Sequence, residues 1–135
     1  MFQQIGRGNT SDAEFNSNTS LYPAGEQPSS KVYANKDLTS LPKLLATHGY
    51  SSYTFHPNDV SFWDRKDLYS ALGFDKYYDI NFFSKQDIVN LGPSDEVLFS
   101  ETAELLKDKK EHGEKYYANI ITLSHHAPFE LPKEK

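Results

Sequence analysis

Cysteine is absent from the chain, which excludes a disulfide framework, a thiolate metal site and a cysteine nucleophile together. No apolar run reaches the roughly 18 residues of a membrane-spanning helix, and no leader pattern opens the residues given. Basic clusters are also missing. The net charge is −5, and the densest cationic run, Lys107, Lys109 and Lys110, falls at the end of a predicted helix, where it complements the dipole. With no cationic stripe to track phosphates, the sequence argues against nucleic acid as a partner. What is abundant is aromatic rings. Nine Tyr and nine Phe within 135 residues point to a domain with much half-buried ring surface on a sheet. At 37% hydrophobic the chain is too rich in packing residues for disorder and long enough for one core.

Residues 16–36, NSNTSLYPAGEQPSSKVYANK, are dense in small polar residues, Pro and Gly and predict a long surface loop within a single domain 1–135. Beyond it the signals alternate. Ser40 and Pro42 open a helix with Leu38, Leu41, Leu44 and Leu45 as its apolar stripe, and Gly49 stops it. YSSYTFH (50–56) predicts a strand. A helix over 62–72 ends at Gly73, KYYDI (76–80) predicts a short strand, and Ser94 caps a helix reaching about Lys110, with Val97, Leu98, Leu105 and Leu106 inward. YYANIITLS (116–124) has the near-continuous apolar character of a strand covered on both faces. The alternation predicts an α/β fold with a mostly parallel sheet and helices on both sides. Ligands collect at the carboxyl ends of such strands, where His56 and His125–His126 fall.

Several residues there can do chemistry. In GRGNTSDAEF (6–15) the glycines permit a tight turn that leaves Thr10 or Ser11 at a helix N-terminus, where free N–H groups hold an anion. The hydroxyl there reads first as a helix cap, the commoner case, and second as a nucleophile towards bound phosphate. Of His125 and His126, strand alternation sends one towards a given pocket. In FWDR, Trp63 reads as core or as an apolar wall, and Arg65 as a solvated residue or a phosphate clamp. The carboxylates Asp12, Glu14, Asp59, Asp64 and Asp79 are scattered without ligand spacing, so a metal site is incomplete in these residues.

Together, GRGNTSDAEF, SLPKLLATHGYSSYTFHPN, FWDRKDLYSALGFDKYYD, LGPSDEVLFSETAELL and YYANIITLSHHAPFELP resemble the extracellular domain of lipoteichoic acid synthases and related phosphoglycerol transferases. These form part of the sulfatase branch of the alkaline-phosphatase-like superfamily, and the resemblance covers essentially the whole chain. It implies part of a three-layer α/β/α sandwich. It implies Thr10 as nucleophile and as ligand of a divalent metal, usually manganese, with magnesium as the alternative. His56, Trp63, Arg65 and His126 match positions that shape the glycerol-phosphate pocket. The implied reaction attacks phosphatidylglycerol, releases diacylglycerol and passes the glycerophosphoryl group from threonine to a polyglycerolphosphate chain.

The family's other metal ligands, a carboxylate before the nucleophile motif and an Asp-His pair well after it, have no match here. The expectation is therefore a central slice of a catalytic domain that lies on the extracellular face of the cell membrane. On that expectation the chain is inactive by itself and prone to self-association through exposed strand edges, with membrane anchoring left to parts of the parent protein. Two alternatives remain open. One is a hydrolase or phosphodiesterase of the same superfamily, although Asp12 and Glu14 stand where the sulfatase motif C/S-x-P-x-R, aligned on Thr10, has Pro and Arg. The other is a non-catalytic glycerophosphate-binding homologue.

Overall fold

The structure is a computed structural model that describes residues 6–127 and 129. Three parallel strands form its centre in the order β2-β1-β5: β1 (Tyr50–Phe55), β2 (Lys76–Tyr78) and β5 (Lys115–Ile120). Helix α4 (Arg65–Leu72) connects β1 to β2, and α5 (Asp95–Glu111) leads into β5. Helices α1 (Thr10–Thr19), α2 (Ser29–Tyr33) and α3 (Leu41–Ala46) precede the sheet. A small antiparallel hairpin, β3 (Ile88–Val89) and β4 (Gly92–Pro93), lies before α5.

The alternation of side chains along β1 sorts the two faces. Tyr53 and Phe55 meet Tyr78, Phe83 and Leu98 in the main core, with Val97, Leu105, Leu106, Tyr116, Ala118 and Ile120 packed around them. The opposite face is more polar: Asn119 Nδ2 donates to Thr54 Oγ1 at 3.2 Å, and Tyr117 donates to Asn18 Oδ1 of α1 at 3.1 Å. The sheet thus has α5 on one side and α1 and α4 on the other, the three-layer α/β/α arrangement expected from the sequence.

Both polar caps form as expected. Ser40 Oγ accepts the N–H of Lys43 and Ser94 Oγ that of Val97. Gly73 ends α4 at φ +81°, and a Cβ there would press on the Lys43 side chain.

Four expectations change. The loop over 16–36 is shorter, because α1 continues to Thr19 and Ser29–Tyr33 is helical. Ser17, Asn18 and Thr19 return their side-chain hydrogens to the carbonyls of Ala13, Glu14 and Phe15, so these polar side chains are satisfied within the helix. The segment then docks through buried polar bonds: Asp12 Oδ1 accepts both the N–H and the hydroxyl of Ser29, and Ser11 Oγ accepts the N–H of Ser30.

The stripe on α3 does not face a core. Leu41 and Leu44 are exposed, as are Leu21 and Tyr22 nearby, while Pro42 is buried. Strand β5 stops at Ile120 and is only half-buried, because it is an edge of a three-stranded sheet. Finally, the helix expected from Phe62 breaks at its start into a 3₁₀ turn (Phe62–Asp64) and α4.

Candidate active site

The carboxyl ends of β1 and β5 and the N-termini of α1 and α4 meet around a cavity of about 310 Å³. Thr10, His56, Trp63, Arg65 and His126 all line it. A shallower depression of about 500 Å³ runs along α4 and the amino end of β2, lined by Lys66, Tyr69, Phe74 and Tyr77. It holds no Ser, Thr or His at a strand's carboxyl end.

At the start of α1 the cap is Asn9, not Thr10 or Ser11. Asn9 is extended, and its Oδ1 accepts the N–H of Asp12 at 2.9 Å. Asp12 locks the turn further, its Oδ2 accepting the N–H of Arg7 and the amide of Asn9. A Cβ on Gly6, at φ +60°, would collide with this carboxylate. Ser11 is buried in its bond to Ser30. Thr10 is therefore the first helical residue, exposed, with a hydroxyl that makes no hydrogen bond among the described residues. It stands where the helix dipole favours an anion.

His56 follows β1 and is 7% exposed. Its Nδ1 lies 3.0 Å from the carbonyl oxygen of Ile121, so Nδ1 carries the hydrogen and Nε2 is the acceptor. Burial and, next, the Arg65 cation lower its pKa from 6.5 to about 4. The ring is neutral at pH 7. His126 likewise donates from Nδ1, to the carbonyl of Ala127 at 2.7 Å, while His125 turns towards the ring of Phe129 at 5.2 Å. Only His126 of the pair reaches the cavity.

The chain around Trp63 is strained. Trp63 (φ 59°, ψ 30°) and Asp64 (φ 56°, ψ 30°) are both left-handed. Each such non-glycine residue costs about 1–2 kcal/mol. Hydrogen bonds from Phe62 to Asp59, Asp64 to Ser61 and Lys66 to Val60 hold the kink. Its result is a wall in which Trp63 stacks on Phe62 at 4.9 Å and stands 5.9 Å from the Arg65 guanidinium. Arg65 itself is 2% exposed, and its Nε donates to Glu14 Oε1 at 3.0 Å.

Asn58, Phe62, Leu91, Thr122 and Leu123 complete the lining and were not among the candidates. Leu91 arrives on the β3–β4 hairpin, whose turn uses Asn90 at φ 55°. The string V-N-L-G, with Asn at a positive-φ position, is the signal for it. A Cβ on Gly92 would strike the Pro57 carbonyl oxygen, so the glycine lets the hairpin close on the β1 end. Asp95 fixes the opposite wall, its Oδ1 accepting the N–H groups of Leu123 (2.7 Å) and Ser124 (3.0 Å).

The described residues do not build the metal centre that the resemblance implies. They contain no group of three or more His, Cys, Asp or Glu able to hold an ion. Both oxygens of Asp12 already accept protein donors, and Glu14 is paired with Arg65. Beside Thr10 the cavity offers two imidazoles and a guanidinium. With no free carboxylate beside them, these groups do not complete a metal site among the described residues.

The neutral state of His56 has a consequence in acid. Its folded pKa of about 4 lies below the ordinary 6.5, so the unfolded chain takes up the proton first. The contribution is complete above pH 6.5 and is lost as pH falls towards 4, a difference of about 3 kcal/mol. Urea unfolding measured across this window should show the loss. In His56→Asn, which keeps a donor for the Ile121 carbonyl, the profile should flatten, and an unchanged slope would place the titration elsewhere.

A parallel sheet between helices, with a threonine at a helix N-terminus at the strand ends, is an arrangement found in domains of the alkaline-phosphatase-like class. A protein in the alkaline phosphatase superfamily from Vibrio parahaemolyticus shares this fold at 21% identity, with a TM-score of 0.74 over 87% of this chain and 29% of that one. More narrowly, the chain belongs to the sulfatase family, whose profile matches residues 1–135. It is 38% identical over 133 residues to lipoteichoic acid synthase 2 of Bacillus subtilis (strain 168), covering 95% of this chain and 20% of that protein. The crystal structure of the lipoteichoic acid synthase LtaP from Listeria monocytogenes matches with a TM-score of 0.94 at 40% identity, over 99% of this chain and 33% of that one. The likeness to lipoteichoic acid synthases expected from the motifs is thus found. The chain spans about a fifth of the length of the curated relative.

Proposed function

We propose that the chain is the nucleophile-bearing part of a phosphoglycerol transferase that moves glycerol phosphate from phosphatidylglycerol to a polyglycerolphosphate, lipoteichoic acid chain. The observation that carries this reading is the one cavity that brings Thr10 together with Arg65, Trp63, His56 and His126. Thr10 Oγ1 forms a bond to phosphorus, the bond from phosphorus to the diacylglycerol oxygen breaks, and that oxygen leaves with a proton. A terminal glycerol hydroxyl of the acceptor then attacks the same phosphorus, breaking the bond to Thr10 and restoring its hydroxyl. Arg65 and the α1 N-terminus offset charge on the phosphoryl oxygens. His56, neutral and an acceptor at Nε2, suits a glycerol hydroxyl, and His126 stands on the same cavity wall.

A divalent metal, manganese or magnesium, belongs to this reading, with Thr10 as one ligand and the others outside the described residues. For that reason the 135-residue chain alone is proposed to be inactive. No helix of the described residues is long and apolar enough to cross a membrane. The anchor is assigned to other parts of the parent protein, with the catalytic domain on the extracellular face.

The test is headgroup release from labelled phosphatidylglycerol by the complete protein, with products separated into polymer and free glycerophosphate. Label in polymer is expected. Free glycerophosphate alone would make the protein a hydrolase, and no release would remove the enzymatic reading.

A further inference from the structure

Beneath the cavity lies a buried carboxylate with no part in the displacement. Glu14 is one helical turn beyond Thr10 on α1, so the two side chains share a helix face. Its Oε1 accepts the Nε–H of Arg65 at 3.0 Å, and the two side chains are only 3% and 4% exposed. A bond at Nε uses one of five guanidinium donors and leaves both terminal nitrogens for an anion.

Stability does not explain the arrangement. The Glu14 carboxylate is buried facing both Arg65 and the Tyr69 hydroxyl, and a buried ion pair is often no more stable than apolar packing of the same volume. Arg65 also needs direction from elsewhere. It opens α4 directly after two left-handed residues, with Trp63 standing 5.9 Å from its guanidinium and Glu14 accepting its Nε–H.

We propose that Glu14 is a positioning residue that fixes the Arg65 guanidinium relative to the helix carrying Thr10, so that nucleophile and phosphate ligand form one rigid unit. The functional value of this tether rests on the reading of Arg65 as a phosphate ligand. Charge alone is not its role: a carboxylate shorter by one methylene keeps the charge and loses the reach.

The chain contains two arginines, Arg7 and Arg65, so each Nε–Hε signal is assignable by NMR in the full chain and Arg7 serves as the control. In the wild type the Arg65 signal should lie downfield and exchange slowly. Glu14→Gln should move it upfield, and Glu14→Asp should broaden it or remove its protection, with Arg7 unmoved. Binding of inorganic phosphate, followed at the indole N–H of Trp63, should weaken about tenfold in Glu14→Asp despite the retained charge.

An Arg65 signal unchanged in folded Glu14→Asp overturns the proposal. If both variants fail to fold, the wild type decides. The Arg65 Hε shift must follow the titration of the Glu14 carboxyl carbon, and independent titration overturns the tether. If phosphate does not bind even to the wild type while Arg65 still reports on Glu14, the tether stands and the functional reading of Arg65 falls.

Discussion

Thr10→Ala should abolish glycerophosphate transfer by the complete protein, by at least about a thousandfold, and leave the domain folded. The separation of these effects follows from the start of α1. Asn9 provides the cap, Asp12 and Ser11 provide the buried bonds, and the Thr10 hydroxyl makes none among the described residues. Alanine is the best helix former, so the exposed replacement should shift stability by no more than about 0.5 kcal/mol. Asn9→Ala makes the contrast, costing about 1 kcal/mol of stability through loss of the cap. Thr10→Ser restores a hydroxyl and should restore part of the rate. Transfer that survives Thr10→Ala in a folded protein would move the nucleophile elsewhere.

How far this site could be read from the chain depends on what each residue answers to. Ser40 and Ser94 act locally, through bonds to N–H groups three residues on, and their helices form where the local pattern puts them. His56 and His126 could be placed because parallel topology brings strand ends together whatever the loops do. The kink at Trp63 and Asp64 could not. Trp63 does not favour left-handed backbone, Asp64 merely tolerates it, and the backbone bonds within 59–66 that hold the kink leave no pattern in residue type. Residues 16–36 misled for a related reason: the segment is held by bonds from Ser29 and Ser30 to Asp12 and Ser11 and by the stacking of Tyr33 on Phe15, none of which makes a periodic apolar stripe. The partnership of Glu14 and Arg65, 51 residues apart, leaves no mark in either local segment.

That pair carries the second large effect. Arg65→Met should cost about 3–5 kcal/mol, because it leaves a buried carboxylate without its counter-charge. Glu14→Leu should cost a similar amount by stranding the guanidinium, whereas the double variant should recover most of the loss. Urea unfolding of the four proteins gives the cycle. The pH dependence sharpens it. Burial already raises the pKa of Glu14 against the opposing pull of Arg65, and removing the cation raises it further. With its folded pKa above the unfolded one, the lone carboxyl is best tolerated when protonated. The Arg65→Met variant should therefore lose stability as pH rises through that folded pKa and regain it in acid, opposite in sign to the His56 effect. Single-variant losses that simply add in the double variant would mean that the two side chains do not act as a pair.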